Sequence, residues 1–98
     1  MTLTNIMDLM EKKIALSEDL ITRKVDETLL VYKESSGDLY EFNETSEIVI
    51  NMLDEEKEIK TIFEKLCDIY EGDKKEMQYD FLTLIEQLLE LGVISVLL

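Results

Sequence analysis

The apolar positions of this chain change their period near residue 43. From Gly37 to Phe42, in "GDLYEF", they alternate, with Tyr40 and Phe42 to one side and Leu39 and Glu41 to the other. After Asn43 they fall at Ile48, Val49, Met52 and Leu53, along one stripe of a helix. A strand therefore runs into a helix with almost no loop between them. Asn43 suits the N-cap of that helix, where its side chain accepts from an otherwise unpaired amide. Upstream, "LITRKV" (20–25) alternates weakly until Asp26-Glu27 breaks it, and "TLLVYK" (28–33) is rich in β-branched and aromatic residues. "ESSGD" (34–38) is a Gly-containing hairpin loop, so "LYEF" returns as a third strand.

The remainder reads as helix. Ile59, Ile62, Phe63, Leu66 and Tyr70 form the stripe of a second helix, set off from the first by "DEEKE". "EGDKKE" stops it, with Gly72 suited to a left-handed cap. A third helix runs from about Lys74 to Leu91 and ends at Gly92; "VISVLL" then follows as a strand or a segment packed on the core. At 100° per residue, Met77, Phe81, Leu84, Leu88 and Leu91 make one stripe of the third helix, predicted to face the core. Leu82, Ile85 and Leu89 make a flanking one. Together they widen the apolar arc to roughly 180°, where a core-facing stripe needs somewhat over 100°. The surplus lines a groove, or it packs against "VISVLL" or a second copy of the chain. At the N-terminus, Leu3, Ile6, Met7, Met10 and Ile14 fall at helical spacing. Residues 1–16 are therefore read as an extension, an amphipathic helix or a mobile terminus, ahead of one domain over 17–98. Three strands followed by three helices predict an α+β, winged-helix-like fold with a three-stranded antiparallel sheet.

Composition narrows what such a domain does. The 98 residues suffice for a single core, and 46% of them are apolar. With 23 acidic against 10 basic residues the formal charge is -13, which argues against a polyanionic partner. Winged helices often read DNA through the third helix, but from Glu76 to Leu98 the chain has no Lys or Arg to meet phosphates. The absence of His removes the commonest general base and metal ligand and excludes a Ser–His–Asp or Cys–His centre. Cys67 is the only cysteine, which points to a small buried hydrophobe, no disulfide and a reducing cytoplasm. Three glycines, Gly37, Gly72 and Gly92, are too few for a phosphate loop, and no segment has calcium-loop spacing. No apolar run is long enough to span a membrane, and Asp8 and Glu11 interrupt any signal-peptide pattern. The expectation is a non-enzyme with no metal and no cofactor.

The hairpin running into "LYEFNETSEIVINML", the helix "EIKTIFEKLCDIY" and the long helix closing in "LLELGVI" together resemble the PqqD family. The family is named for the pyrroloquinoline quinone pathway. It supplies the recognition element for many ribosomally made, post-translationally modified peptides, lasso peptides and radical-SAM-modified peptides among them. The resemblance covers roughly residues 14–94. Its most specific part is the junction Phe42-Asn43-Glu44-Thr45, while the helical spacing is supportive but generic. Glu58 departs from the Thr that family members often carry as cap of the second helix.

The resemblance implies a non-catalytic leader-peptide binder, a peptide chaperone. It holds the leader of a precursor peptide as an added strand between the third strand and the third helix. It then presents that peptide to a radical-SAM maturase, a leader protease or a cyclase. The residues implied are Asp38, Leu39, Tyr40, Glu41 and Phe42 on the strand, with Gln78, Phe81, Leu82, Ile85 and Leu89 on the helix. The surplus apolar arc and the free edge of the third strand agree with that reading. Acidity adds either that Lys or Arg flanking the leader segment favours docking, or only a solvated coat. The alternative is a structural or oligomerising module, such as a homodimer, with the apolar flank, the N-terminal stripe and "VISVLL" as subunit contacts.

Overall fold

The computed structural model describes residues 8–53, 55 and 58–97. Its elements are β1 (Lys13–Leu16), β2 (Leu20–Val25), β3 (Thr28–Lys33), β4 (Asp38–Phe42), α1 (Glu44–Met52), α2 (Ile59–Ile69), α3 (Lys74–Glu90) and β5 (Ile94–Leu97). The fold is α+β. An antiparallel sheet in the order β2-β3-β4 packs one face on three helices, and β1 pairs with β5 in a second, two-stranded sheet.

The three-stranded sheet follows from its turns. A two-residue turn joins β2 to β3, with Asp26 at φ 55, a conformation that Asp tolerates better than most residues. Gly37, at φ 76, closes the β3–β4 loop by donating its amide to the Lys33 carbonyl at 2.8 Å. Asp19 braces that loop from the start of β2. Its carboxylate accepts from the Ser17 hydroxyl, the Ser35 amide at 2.9 Å and the Lys33 ammonium at 3.2 Å. Leu29 and Val31 of β3 are buried, and Tyr40 and Phe42 of β4 pack beside them on the helical side.

Each helix has its own start and stop. The Asn43 side chain accepts from the Ser46 amide at 3.0 Å, and Asn43 is the single residue between β4 and α1. Asp73 caps α3 by accepting from the Lys75 amide at 2.8 Å. At the far end of α3 the Gly92 and Val93 amides reach back to the Leu89 and Leu88 carbonyls, the paired bonds of a Schellman stop, with Gly92 at φ 74. Gly72 does not play this part for α2. That helix ends in the extended Tyr70, and Gly72 lies beyond it in the link to α3.

The N-terminal reading needs a correction. Residues 1–7 lie outside the described residues, and Lys13–Leu16 form a strand rather than the end of a helix. Ile14 is fully buried, Leu16 pairs with Ile94, and the Lys12 carbonyl accepts from the Ile59 amide at the start of α2. Four residues are too few to show a period of two. Their pairing partner lies at the other end of the chain, so local spacing favoured the helix. Within "VISVLL", Ile94–Leu97 form β5, with Val93 and Ile94 buried.

The flanking stripe of α3 is corrected as well. Leu82 and Ile85 are buried at 1% and 0% exposure, in one core with Ile14, Ile59, Ile62 and Ile94. Leu84 and Leu91, placed on the core stripe by spacing, are only half-buried. The apolar arc is as wide as expected, but its other end faces out. Periodicity measures the width of an arc and not which end is covered. Here Ile14 and Ile94, from the two ends of the chain, belong to the covering core. No described helix is long and apolar enough to cross a membrane.

Candidate functional site

β4 is an edge strand, and the direction of its free backbone groups can be worked out. The Glu34 amide donates to the Asp19 carbonyl at 3.0 Å, which makes Asp19–Glu34 a hydrogen-bonded pair of the β2–β3 ladder. Such pairs alternate along an antiparallel ladder, so Ile21–Tyr32 and Arg23–Leu30 are hydrogen-bonded too. Lys33, Val31 and Leu29 must then turn their amides and carbonyls toward β4, where their partners are Asp38, Tyr40 and Phe42. Leu39 and Glu41 are left with both backbone groups pointing out of the sheet edge. The same alternation sends the Tyr40 and Phe42 side chains to the helical side, while Leu39 is 60% exposed on the other face.

α3 lies along this edge in the opposite sense. Leu39, Tyr40, Glu41, Phe42 and Asn43 share a cleft with Leu84, Gln87, Glu90 and Leu91. The Tyr40 hydroxyl lies 3.3 Å from the Leu91 carbonyl and 3.3 Å from an Asp38 carboxylate oxygen, pinning the strand to the end of the helix. Desolvation and, next, the Asp38 charge raise the Tyr40 pKa above its ordinary 10.0, so the phenol stays protonated. The Tyr40 and Phe42 rings stand 6.2 Å apart along the strand.

Beyond Asn43 the cleft continues over the start of α1 into a depression of about 460 Å³. The two stretches share Asn43, Ser46, Leu84 and Gln87. The second is walled by Phe63, Leu66 and Tyr70 of α2 and its C-cap, by Met77, Phe81 and Leu84 of α3, and by polar Thr45, Asp80 and Thr83. Phe63 and Phe81 meet at 5.4 Å between ring centres. Among the described residues, neither stretch is lined by a Lys or Arg.

The sequence-predicted residues divide on this map. Leu39, Tyr40, Glu41 and Phe42 line the cleft, and Asp38 stands beside the Tyr40 hydroxyl. Phe81 contributes to the second depression although it is nearly buried. Leu82 and Ile85 are inside the core, and Gln78 and Leu89 do not line the cleft. The helical wall is instead Asp80, Leu84, Gln87 and Leu91, which recur at helical spacing and mix polar with apolar types. That mixture was the available signal, because a groove open to water is lined by both kinds of residue.

Among the described residues no group of three or more His, Cys, Asp or Glu is placed to hold a metal ion. The cleft offers free strand backbone, apolar side chains on two walls and carboxylates at its rim. Free strand backbone beside apolar pockets is the kind of surface that an extended polypeptide segment can complete.

The fold has solved counterparts. It superposes on "TbiB1 in Complex with the TbiA(beta) Leader Peptide" with a TM-score of 0.74 at 15% identity, covering 83% of this chain and 94% of that one. It also superposes on "Lasso peptide synthetase B1 complexed with the leader peptide" with a TM-score of 0.71 at 19% identity, covering 85% and 98%. No protein of curated function matches the sequence. The family model for coenzyme PQQ synthesis protein D matches residues 27–94, the span from the β2–β3 turn to the start of β5. The chain belongs to the PqqD family.

Proposed function

We propose that the chain is a peptide-recognition protein that binds the leader of a ribosomally made precursor by strand addition to β4. The single observation that carries this reading is the pair of residues Leu39 and Glu41. Their amides and carbonyls face outward along an edge that opens onto the α3 cleft. The two structural neighbours, both solved with leader peptides, support it. So does the family assignment.

The energetics suit a carrier. Four strand bonds, at about 1 kcal/mol each, contribute roughly 4 kcal/mol. Each apolar side chain buried against Leu84, Phe63 or Met77 adds about 1.5–3 kcal/mol, before ordering costs of a few kcal/mol. With two or three such side chains the gross gain is about 7–13 kcal/mol. After the ordering costs the balance centres near micromolar affinity, tight enough to capture a peptide and loose enough to release it. The protein supplies no chemistry itself in this reading. It hands the peptide, in the cytoplasm, to a modifying enzyme such as a radical-SAM maturase, a leader protease or a cyclase.

Titration of isotope-labelled protein with the precursor encoded beside its gene tests the reading. Shifts at Leu39, Glu41 and the Leu84–Leu91 face support it, and shifts confined to β2 or to the β1–β5 sheet overturn it. Of the surfaces expected for the oligomerising alternative, Leu82 and Ile85 are buried and Ile94–Leu97 pair with β1, whereas Leu3, Ile6 and Met7 lie outside the described residues.

A further inference from the structure

We infer that the cleft selects cationic peptides, in which a bulky apolar side chain is flanked by Lys or Arg at a spacing set by α3. The inference rests on the strand-addition reading and adds the chemistry of the segment selected. Because β4 and α3 run in opposite senses, a peptide laid along β4 also travels along α3, from Leu91 back toward Asp80. The α3 wall carries a carboxylate at each end of this path, Glu90 beside Leu91 and Asp80 beside the second depression, with uncharged Leu84 and Gln87 between them.

Among the described residues, no Lys or Arg compensates those carboxylates within the cleft. Lys33 lies against Gly92, just past the end of α3, but is engaged by Asp19 and Ser35. At the other end Lys75 shares a shallow depression with Asp80, but Glu76 sits there too and offsets it. A peptide bearing Asp or Glu would bring like charge beside these carboxylates, whereas Lys or Arg would find a partner. The depression between Asn43 and Met77 has an apolar floor wide enough for an aromatic or long aliphatic side chain.

The spacing follows from two pitches. Asp80 and Glu90 stand about 15 Å apart along the helix axis at roughly 1.5 Å per residue. An extended peptide advances about 3.3 Å per residue, so its two cations fall about five residues apart.

A display library of random linear peptides, panned against the full-length protein, tests this without knowledge of the natural partner. The expected winners carry Lys or Arg about five positions apart around a bulky apolar residue. In fluorescence anisotropy, Asp80→Lys/Glu90→Lys should weaken them about tenfold or more, while Glu18→Lys, on the exposed β1–β2 turn, leaves them within about twofold. Winners rich in Asp or Glu overturn the inference, as does an unchanged affinity in the double reversal. Glu41→Pro separates the two levels. If it weakens binding while the double reversal does nothing, edge addition stands and charge selection falls. If it leaves binding intact, the strand-addition reading falls first.

Discussion

The Tyr40 hydroxyl reaches the Leu91 carbonyl at 3.3 Å, so the edge strand and the end of the third helix are joined directly across one end of the cleft. The Schellman stop at Gly92 spends the Leu88 and Leu89 carbonyls on its own turn and leaves that of Leu91 to accept from the phenol. This hydrogen bond ties the two walls of the cleft together at this end. Tyr40→Phe should leave the protein folded but loosen this end, weakening peptide binding more than it lowers the urea midpoint. The pH dependence has a definite sign. The folded pKa of Tyr40 is raised, so its contribution is fully present below the ordinary value of 10.0 and is lost as pH climbs through the raised folded value. Urea midpoints measured across that alkaline range should fall more steeply for the wild type than for Tyr40→Phe.

Proline at neighbouring positions of β4 should give opposite results. The Glu41 amide faces outward, so Glu41→Pro removes a group the sheet does not use, and edge strands tolerate Pro in that setting. The fold should survive by circular dichroism, and peptide affinity should drop by roughly 1–3 kcal/mol from the lost bond and the misfit. The Tyr40 amide faces Val31, so Tyr40→Pro breaks the ladder and should unfold the sheet.

The two faces of α3 should separate stability from binding. Ile85 is fully buried, and Ile85→Ala should cost about 2–5 kcal/mol by chemical denaturation. Leu84 is half-buried on the cleft wall, so Leu84→Asp should keep most of the stability and lose most of the peptide affinity.

A substitution at Ile14 tests the N-terminal strand. Ile14 is fully buried against the core, and the Lys12 carbonyl holds the start of α2. Ile14→Ala should therefore cost about 2–5 kcal/mol, as for a core residue, where the equivalent change in a dispensable extension costs almost nothing.

Acid should act through Asp19. Hydrogen bonds from Ser17, then Ser35, then Lys33 hold its carboxyl well below the usual range. A depressed folded pKa stabilises above the unfolded value of 3.8 and is lost as pH falls below it. Melting curves between pH 5 and pH 2 should thus slope less for Asp19→Asn than for the wild type.

What the sequence revealed and what it hid have separate causes. The junction at Asn43 was legible because it is local. A period of two ends, a capping side chain follows, and a period near 3.6 begins. The sides of β4 were legible for the same reason, with Tyr40 and Phe42 inward. The β1–β5 pairing was not, because it joins two four-residue segments from opposite ends of the chain. The α3 wall was misread by part of a turn, placing Leu82 and Ile85 in the cleft and Leu84 and Leu91 in the core. An apolar arc of that width looks the same from either end until the elements covering it are known.

Amide hydrogen exchange along β4, with and without the precursor peptide encoded beside the gene, tests the central claim most directly. In the free protein the Tyr40 and Phe42 amides should exchange slowly, being bonded to β3, while those of Leu39 and Glu41 exchange fast. Added peptide should slow Leu39 and Glu41 selectively, by about the factor set by its affinity and concentration. If the peptide binds and these two amides keep their free exchange rates, the edge of β4 is not where it binds.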